Sequence, residues 1–158
     1  MLTAVAVCAA TAGCARPLPN SSKSLDVLAH SVLDAVSRRD HTTLRALALN
    51  EEEFRRYVWP ELPASRPERN TPFSYIWGDL RTKSDADLHE MLAAHGGRTY
   101  RLERVTFTGE TTQYDSFVVH RDSTLEVRDP DGTRHTLQLF GSVIEKGGRF
   151  KVFSYAVD

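Results

Sequence analysis

The chain has 158 residues, 41% of them apolar, which is the usual size of a single domain and enough for one proper hydrophobic core. Twenty Lys and Arg stand against 21 Asp and Glu, a formal charge of −1, so no global field draws in nucleic acid, and nucleic-acid binding is set aside. The two cysteines are Cys8 and Cys14, so the chain beyond them holds no thiol and needs no disulfide.

Met1 to Gly13 contains no charged residue, is dominated by Ala and Val, and ends in Ala12 and Gly13 immediately before Cys14. Thr11, Ala12, Gly13 and Cys14 together resemble the end of a bacterial lipoprotein signal peptide, in which signal peptidase cuts before a diacylated cysteine and small residues lie extended in a tight cleft. Thr11 stands where that pattern prefers Leu, and no Lys or Arg precedes the apolar run. The resemblance implies that residues 1–13 are a signal peptide, that Cys14 carries the lipid, and that the protein is anchored in the bacterial cell envelope, facing outside the cytoplasm. Residues 14–23, rich in Pro, Ser and Asn, read as a flexible tether, which leaves 24–158 as a single domain. The other reading of these residues is an apolar, frayed N-terminus. A membrane span needs about 20 apolar residues, and Arg16, Pro17, Pro19 and Asn20 end the run before that.

Leu25, Leu28, Ala29, Val32, Leu33 and Val36 recur at three- and four-residue steps, the mark of one helical face, and Ser24 or a neighbouring serine can cap it. A short helix is predicted from Thr42 or Thr43 through Leu49, and another from Glu51 to Val58, which Pro60 ends. Pro60 to Pro72, with four prolines, is expected to be irregular. Helical signal returns over "PFSYIWGDLRTKSDADLHEMLAAHGG", read as two helices or one kinked one. Ser84 followed by Asp87 resembles a capping box, and Gly96 and Gly97 supply a stop. The "HEMLAAH" stretch departs from the zinc-protease pattern: His95 follows His89 by six residues, a rotation of about 600° that puts the rings on different helix faces. No metal site is assigned.

From Tyr100 onward the pattern is that of strands, near Tyr100–Thr108, Ser116–Arg128, Thr133–Glu145 and Arg149–Val157. The "DPDG" turn fits a three-residue loop with Gly132 left-handed, which pairs Val127 with His135, Leu125 with Leu137, Ser123 with Leu139 and Arg121 with Gly141. The "KGG" turn has Lys146-Gly147 or Gly147-Gly148 as its central pair. One face then collects Phe117, Val119, Leu125, Val127, Leu137, Leu139, Val143, Phe150, Val152 and Ala156. Helices first and an antiparallel sheet after them make an α+β domain, with helices packed on a bent sheet of about four strands.

Within that apolar face stand Arg121, Ser123, Gly141 and Ser154, and a charge there requires a partner. Arg121 either pairs with Asp79, Asp87 or Glu90 or snorkels to an edge, or it forms the polar floor of a cavity for a small anionic or carbonyl ligand walled by Tyr75 and Trp77. Strand alternation points His120 and Asp122 the other way, so neither shares that pocket. The opposite face gathers Phe140, Ile144, Phe153 and Tyr155 into an apolar patch. A homodimer through Phe140, Phe153 and Tyr155 requires no unknown partner and comes first, then a covering segment such as the N-terminal stretch or Pro60–Pro72, then a docked protein.

The order of elements, ending in "GSVIEKGGRFKVFSYAVD", resembles the nuclear-transport-factor-2-like superfamily, a cystatin-like α+β cone that includes polyketide-cyclase-like and ketosteroid-isomerase-like enzymes. The resemblance implies a pocket between the concave sheet face and the first helices. Its enzymes place an acid/base Asp or His there, often with a Tyr, and no such residue carries across to this chain. No catalytic residue and no cofactor is assigned. Two functions stand: a non-enzymatic binding or assembly module tethered to the membrane, and a small hydrolase, cyclase or isomerase using the cone. The ligand is not identified.

Overall fold

A computed structural model describes residues 17–156 of the protein. Residues 1–13, expected to be a signal peptide, and Cys14, the expected lipid site, lie outside the described residues. The fold is α+β. Helix α1 runs Leu25–Ser37, capped by Ser24, whose hydroxyl accepts from the Val27 N–H at 3.2 Å, and it buries the predicted stripe from Leu28 to Val36. Helix α2, His41–Leu47, starts a residue or two before its predicted onset because Asp40 serves as the cap, accepting from the Thr43 N–H at 2.9 Å.

Helix α3, Glu51–Glu53, opens with a reciprocal capping box between Asn50 and Glu53 and then widens into a π-type turn, Phe54–Val58. The predicted regular helix does not continue to Val58, since the ring of Pro60 crowds the carbonyl four residues back, that of Arg56, inside the widened turn. Three short 3-10 turns follow, at Trp59–Glu61, Pro63–Ser65 and Pro67–Arg69. Helix α4 is one unbroken helix, Phe73–His95. Ser84 is therefore no cap within it. It is buried in the helix and its hydroxyl accepts from the Tyr155 N–H at 3.0 Å, satisfying a backbone donor just past the last strand. No helix among the described residues is long and apolar enough to cross a membrane.

The strands form two antiparallel sheets. β1 (Arg101–Phe107), β4 (Ser123–Arg128) and β5 (Arg134–Leu137) make a three-stranded sheet in the order β1-β4-β5. β2 (Thr111–Gln113), β3 (Val118–Arg121), β6 (Ser142–Lys146) and β7 (Arg149–Ser154) make a four-stranded one in the order β2-β3-β6-β7. The second and third predicted strands each divide in two, at Asp122 and at Gln138–Gly141, and so run from one sheet into the other. Both hairpin turns form: Gly132 has φ +93°, and Gly147 and Gly148 have φ +58° and +69° between paired Lys146 and Arg149.

Val127 faces His135 and Leu125 faces Leu137, as the turn dictates. Beyond them the register slips. Four positions separate Arg121 from Leu125 but five separate Leu137 from Ser142, so Arg121 pairs with Ser142 instead of Gly141. Asp122 absorbs the change with a left-handed φ of +53°. A one-residue slip exchanges faces. Phe117 and Val119 consequently leave the face of Leu125 and Val127 and join a second core.

The first core sets α1, α2, Leu88 and Met91 of α4 against Leu125, Val127, Leu139, Phe140, Val143, Val152 and Tyr155. The second joins Leu18, Leu49, Phe54, Val58, Phe117, Val119 and Ile144, with Trp77, Leu80 and Phe153 packed on it. The expected exposed patch is thus divided between two interiors: Phe140, Ile144 and Tyr155 are buried within the chain and Phe153 is half-buried. The chain itself covers them.

The expected tether contributes to that cover. Leu18, Ser21 and Ser22 are buried, Ser22 bridges to Phe150, and the Arg149 side chain donates to Ser21. The deepest fastening is Lys151, whose Nζ, 1% exposed as a residue, lies 2.8 and 2.9 Å from the Glu53 carboxylate oxygens and donates to the Pro19 carbonyl at 2.8 Å. A lone polar side chain on a strand carries no sign of a partner 98 residues away, so nothing in the sequence announces this pair.

Candidate functional site

Asp79, Leu80, Lys83 and Asp87 stand three, four, seven and eleven positions after Ile76, the spacing of one helical face, and with it line one wall of a cleft of about 430 Å³. The facing wall is the place where the strands break and end: Asp122, Gln138, Gly141 and Ser142, then Ser154 to Ala156. Phe54, Leu62 and Phe153 complete an apolar lining. The site thus owes its existence to the sheet break, which places Asp122 and Gln138 on the wall that faces α4.

Gly141 is required by close approach. Its N–H donates to the Ser154 carbonyl at 2.9 Å, and a Cβ there would stand 2.9 Å from that of Ala156. Asp122 is held by its backbone: its carbonyl accepts from the Thr108 N–H at 3.0 Å, and its carboxylate rests against Gly109, where a Cβ would overlap it. Aspartate and asparagine are the non-glycine residues most tolerant of a left-handed φ.

The charges of the cleft are unequal. Lys83 sits 2.9 Å from Asp79, and the hydrogen bond and charge of that carboxylate raise its pKa. Asp87 has no ion-pair partner among the described residues; burial, and next the neighbouring Glu90 charge, push its pKa up. Asp122 is likewise outside the ion pairs of the described residues.

Of the residues the sequence singles out, Gly141 and Ser154 line this cleft, and Arg121, Ser123, Tyr75 and Trp77 do not. Arg121 is exposed, no ion pair of the described residues engages it, and the slip sets it across from Ser142 instead of Gly141. Ser123 is fully buried and donates to the Phe140 carbonyl, closing the sheet break. Trp77 packs on Phe54 with ring centroids 5.3 Å apart, and Tyr75 is 68% exposed. Asp122, assigned by alternation to the face away from the pocket, belongs to the site, since the alternation fails at that residue. A signal for it is present in the sequence: an aspartate interrupting the run of strand formers from Phe117 to Val127 marks a break.

The histidines lie elsewhere. His120 pairs with Val143, its Nε2 2.9 Å from Glu145 and its Nδ1 3.3 Å from the Thr111 hydroxyl, a row of cross-strand contacts with the ring stacked on Phe107. His135 meets Asp129 at 2.8 Å, and His95 meets the Tyr100 hydroxyl at 3.1 Å. No group of three or more metal-ligating side chains forms among the described residues. No protein-family model, curated protein or solved structure matches this chain.

Proposed function

We propose that the protein is a lipid-anchored module of the bacterial cell envelope that binds a small ligand in the cleft between α4 and the sheet break, without catalysing a reaction. The observation that carries the binding role is the cleft itself: its volume of about 430 Å³ suits a small molecule, its lining is mainly apolar, and a few polar groups converge on it. No histidine of the described residues lines it, so the common general base is missing from its walls. Helices first, strands after, and a pocket at a break in the sheet all support the cone-like reading of the fold.

The anchoring rests on Thr11 to Cys14. The docking of Leu18, Ser21 and Ser22 adds a consequence. Residues 15–17 then separate the lipid-bearing Cys14 from buried Leu18, and three residues reach at most about 10 Å, so the domain is held close to the bilayer. Expression in the native host is the test. Intact mass should show loss of residues 1–13 and a diacylated Cys14, and Cys14→Ala should release the protein from the membrane fraction; an unmodified Met1 and a free Cys14 thiol refute the anchoring.

One observation favours an enzyme as the second reading. Asp87, with its raised pKa, lies in the cleft as a general acid or base would. Turnover that disappears in Asp87→Asn, with ligand affinity retained, would establish it over the binding module.

A further inference from the structure

We infer that His41 and His89 form a binding site for a divalent transition-metal ion, zinc or copper, that bridges α2 and α4; it lies outside the cleft and does not depend on ligand binding there. The "HEMLAAH" stretch gives His89 no second ligand in His95, which stands on another face of α4. The fold supplies one from a different helix. The imidazole rings of His41, the first residue of α2, and His89 have their centres 5.5 Å apart, with planes tilted by 40°. One turn further along α2 and one turn back along α4 the two helices meet again, where Arg45 lies 3.1 Å from Asp85. The helices thus face each other through two rungs. The ionic rung, which Arg81 braces from the other oxygen of Asp85 at 3.1 Å, sets the spacing of the imidazole rung.

That spacing suits one shared ion. A metal about 2.0 Å from an imidazole nitrogen lies about 3.2 Å from the ring centre, so two rings reach a common ion when their centres are within about 6.4 Å, and do so at the tetrahedral angle at about 5.2 Å. The observed 5.5 Å falls between these limits. The ring nitrogens are also uncommitted: those of His95, His120 and His135 meet a tyrosine, threonine or carboxylate oxygen, whereas neither His41 nor His89 has a hydrogen-bond or ion-pair partner among the described residues. His89 is exposed and His41 half-buried, so the rings can turn about the broad χ2 torsion to present a nitrogen each. Two neutral imidazoles select zinc or copper over magnesium and calcium, which require oxygen ligands, and the carboxylate one turn away, Asp85, is held by two arginines. Water takes the remaining positions of the ion.

Zinc titration of the full chain tests this, in a Cys8→Ser, Cys14→Ser background that removes the competing thiols. The imidazole resonances of His41 and His89 should shift together with one affinity, copper(II) should displace zinc and bind more tightly, and magnesium should leave both rings unmoved. His41→Ala and His89→Ala should each weaken zinc binding by at least about 10-fold, and the double variant little further, because either substitution removes the advantage of a second imidazole held beside the first. His30→Ala, on an exposed position of α1, should change nothing. Zinc affinity equal in the parent and in both single variants, or shifts confined to one of the two rings, overturns the site. Circular dichroism establishes that each variant folds, and His89→Gln, at an exposed position, repeats the test should His41→Ala disturb α2.

Discussion

Replacing Lys151 by Met tests whether the N-terminal segment and α3 are fastened to the sheet by charge. The substitution keeps the length and apolar stem of the side chain while removing the ammonium, which contacts both Glu53 oxygens at 2.8 and 2.9 Å and the Pro19 carbonyl at 2.8 Å. Glu53 is 4% exposed and retains one donor, the Asn50 N–H at 2.9 Å. The variant therefore leaves a buried carboxylate without its counter-ion, a state that costs about 3 to 5 kcal/mol. For a domain of this size that is a fall in Tm of roughly 10 °C. Adding Glu53→Gln removes the orphaned charge but keeps an oxygen to accept from Asn50. The double variant should recover to within about 1 to 2 kcal/mol of the parent, a coupling of at least about 2 kcal/mol in the cycle. Urea denaturation of the four proteins at pH 7 measures it. A loss below about 1 kcal/mol for Lys151→Met, or strictly additive losses, would refute the buried pair as the fastening.

Asp87→Asn, without ligand, should stabilise the protein at neutral pH. The folded pKa of Asp87 lies above its ordinary value of 3.8, so the folded state binds the extra proton between the two values and parental stability falls as pH rises through that window. The advantage of the variant should accordingly vanish as pH is lowered toward 3.8, as paired urea curves at pH 7 and 4 will show. Asp122→Gly should hold the fold within about 1 kcal/mol, whereas Asp122→Val, a β-branched residue at φ +53°, should lose about 2 kcal/mol; equal stabilities would mean that the break is not imposed there. Gly141→Val should destabilise by about 1 to 3 kcal/mol through collision with Ala156, a loss that Ala156→Gly should partly restore in thermal melts.

Helix periodicity, caps and turns were legible because they are local. The stripe from Leu28 to Val36, the Ser24 cap, the left-handed Gly132 and the pairing of Leu125 with Leu137 all follow from residues a few positions apart. Ser84 shows where such reasoning stops: its spacing to Asp87 is that of a cap, yet the donor it satisfies belongs to Tyr155, which nothing near it in sequence announces. The candidate site shows the same division. Gly141 and Ser154 were visible as small or polar residues on an apolar strand face, but Asp122, which lines the cleft, was assigned away from the pocket, and Arg121, which does not, was assigned into it.

The amino-acid order by itself determined that helices precede strands, that the two hairpins turn where they do, and that an α+β domain results, since each depends on torsional preferences and hydrophobic spacing within about ten residues. Tertiary structure alone decided the rest. Whether a strand pair continues in register or slips by one residue at Asp122 is a matter of which apolar side chains the two sheet faces can bury, and that is settled by α1, α4, the widened turn at Phe54–Val58 and the docked Leu18 together. Once the slip occurs, Arg121 goes to solvent, Phe117 and Val119 enter a second core, Lys151 finds Glu53, and the cleft opens against α4 with Asp122 at its edge.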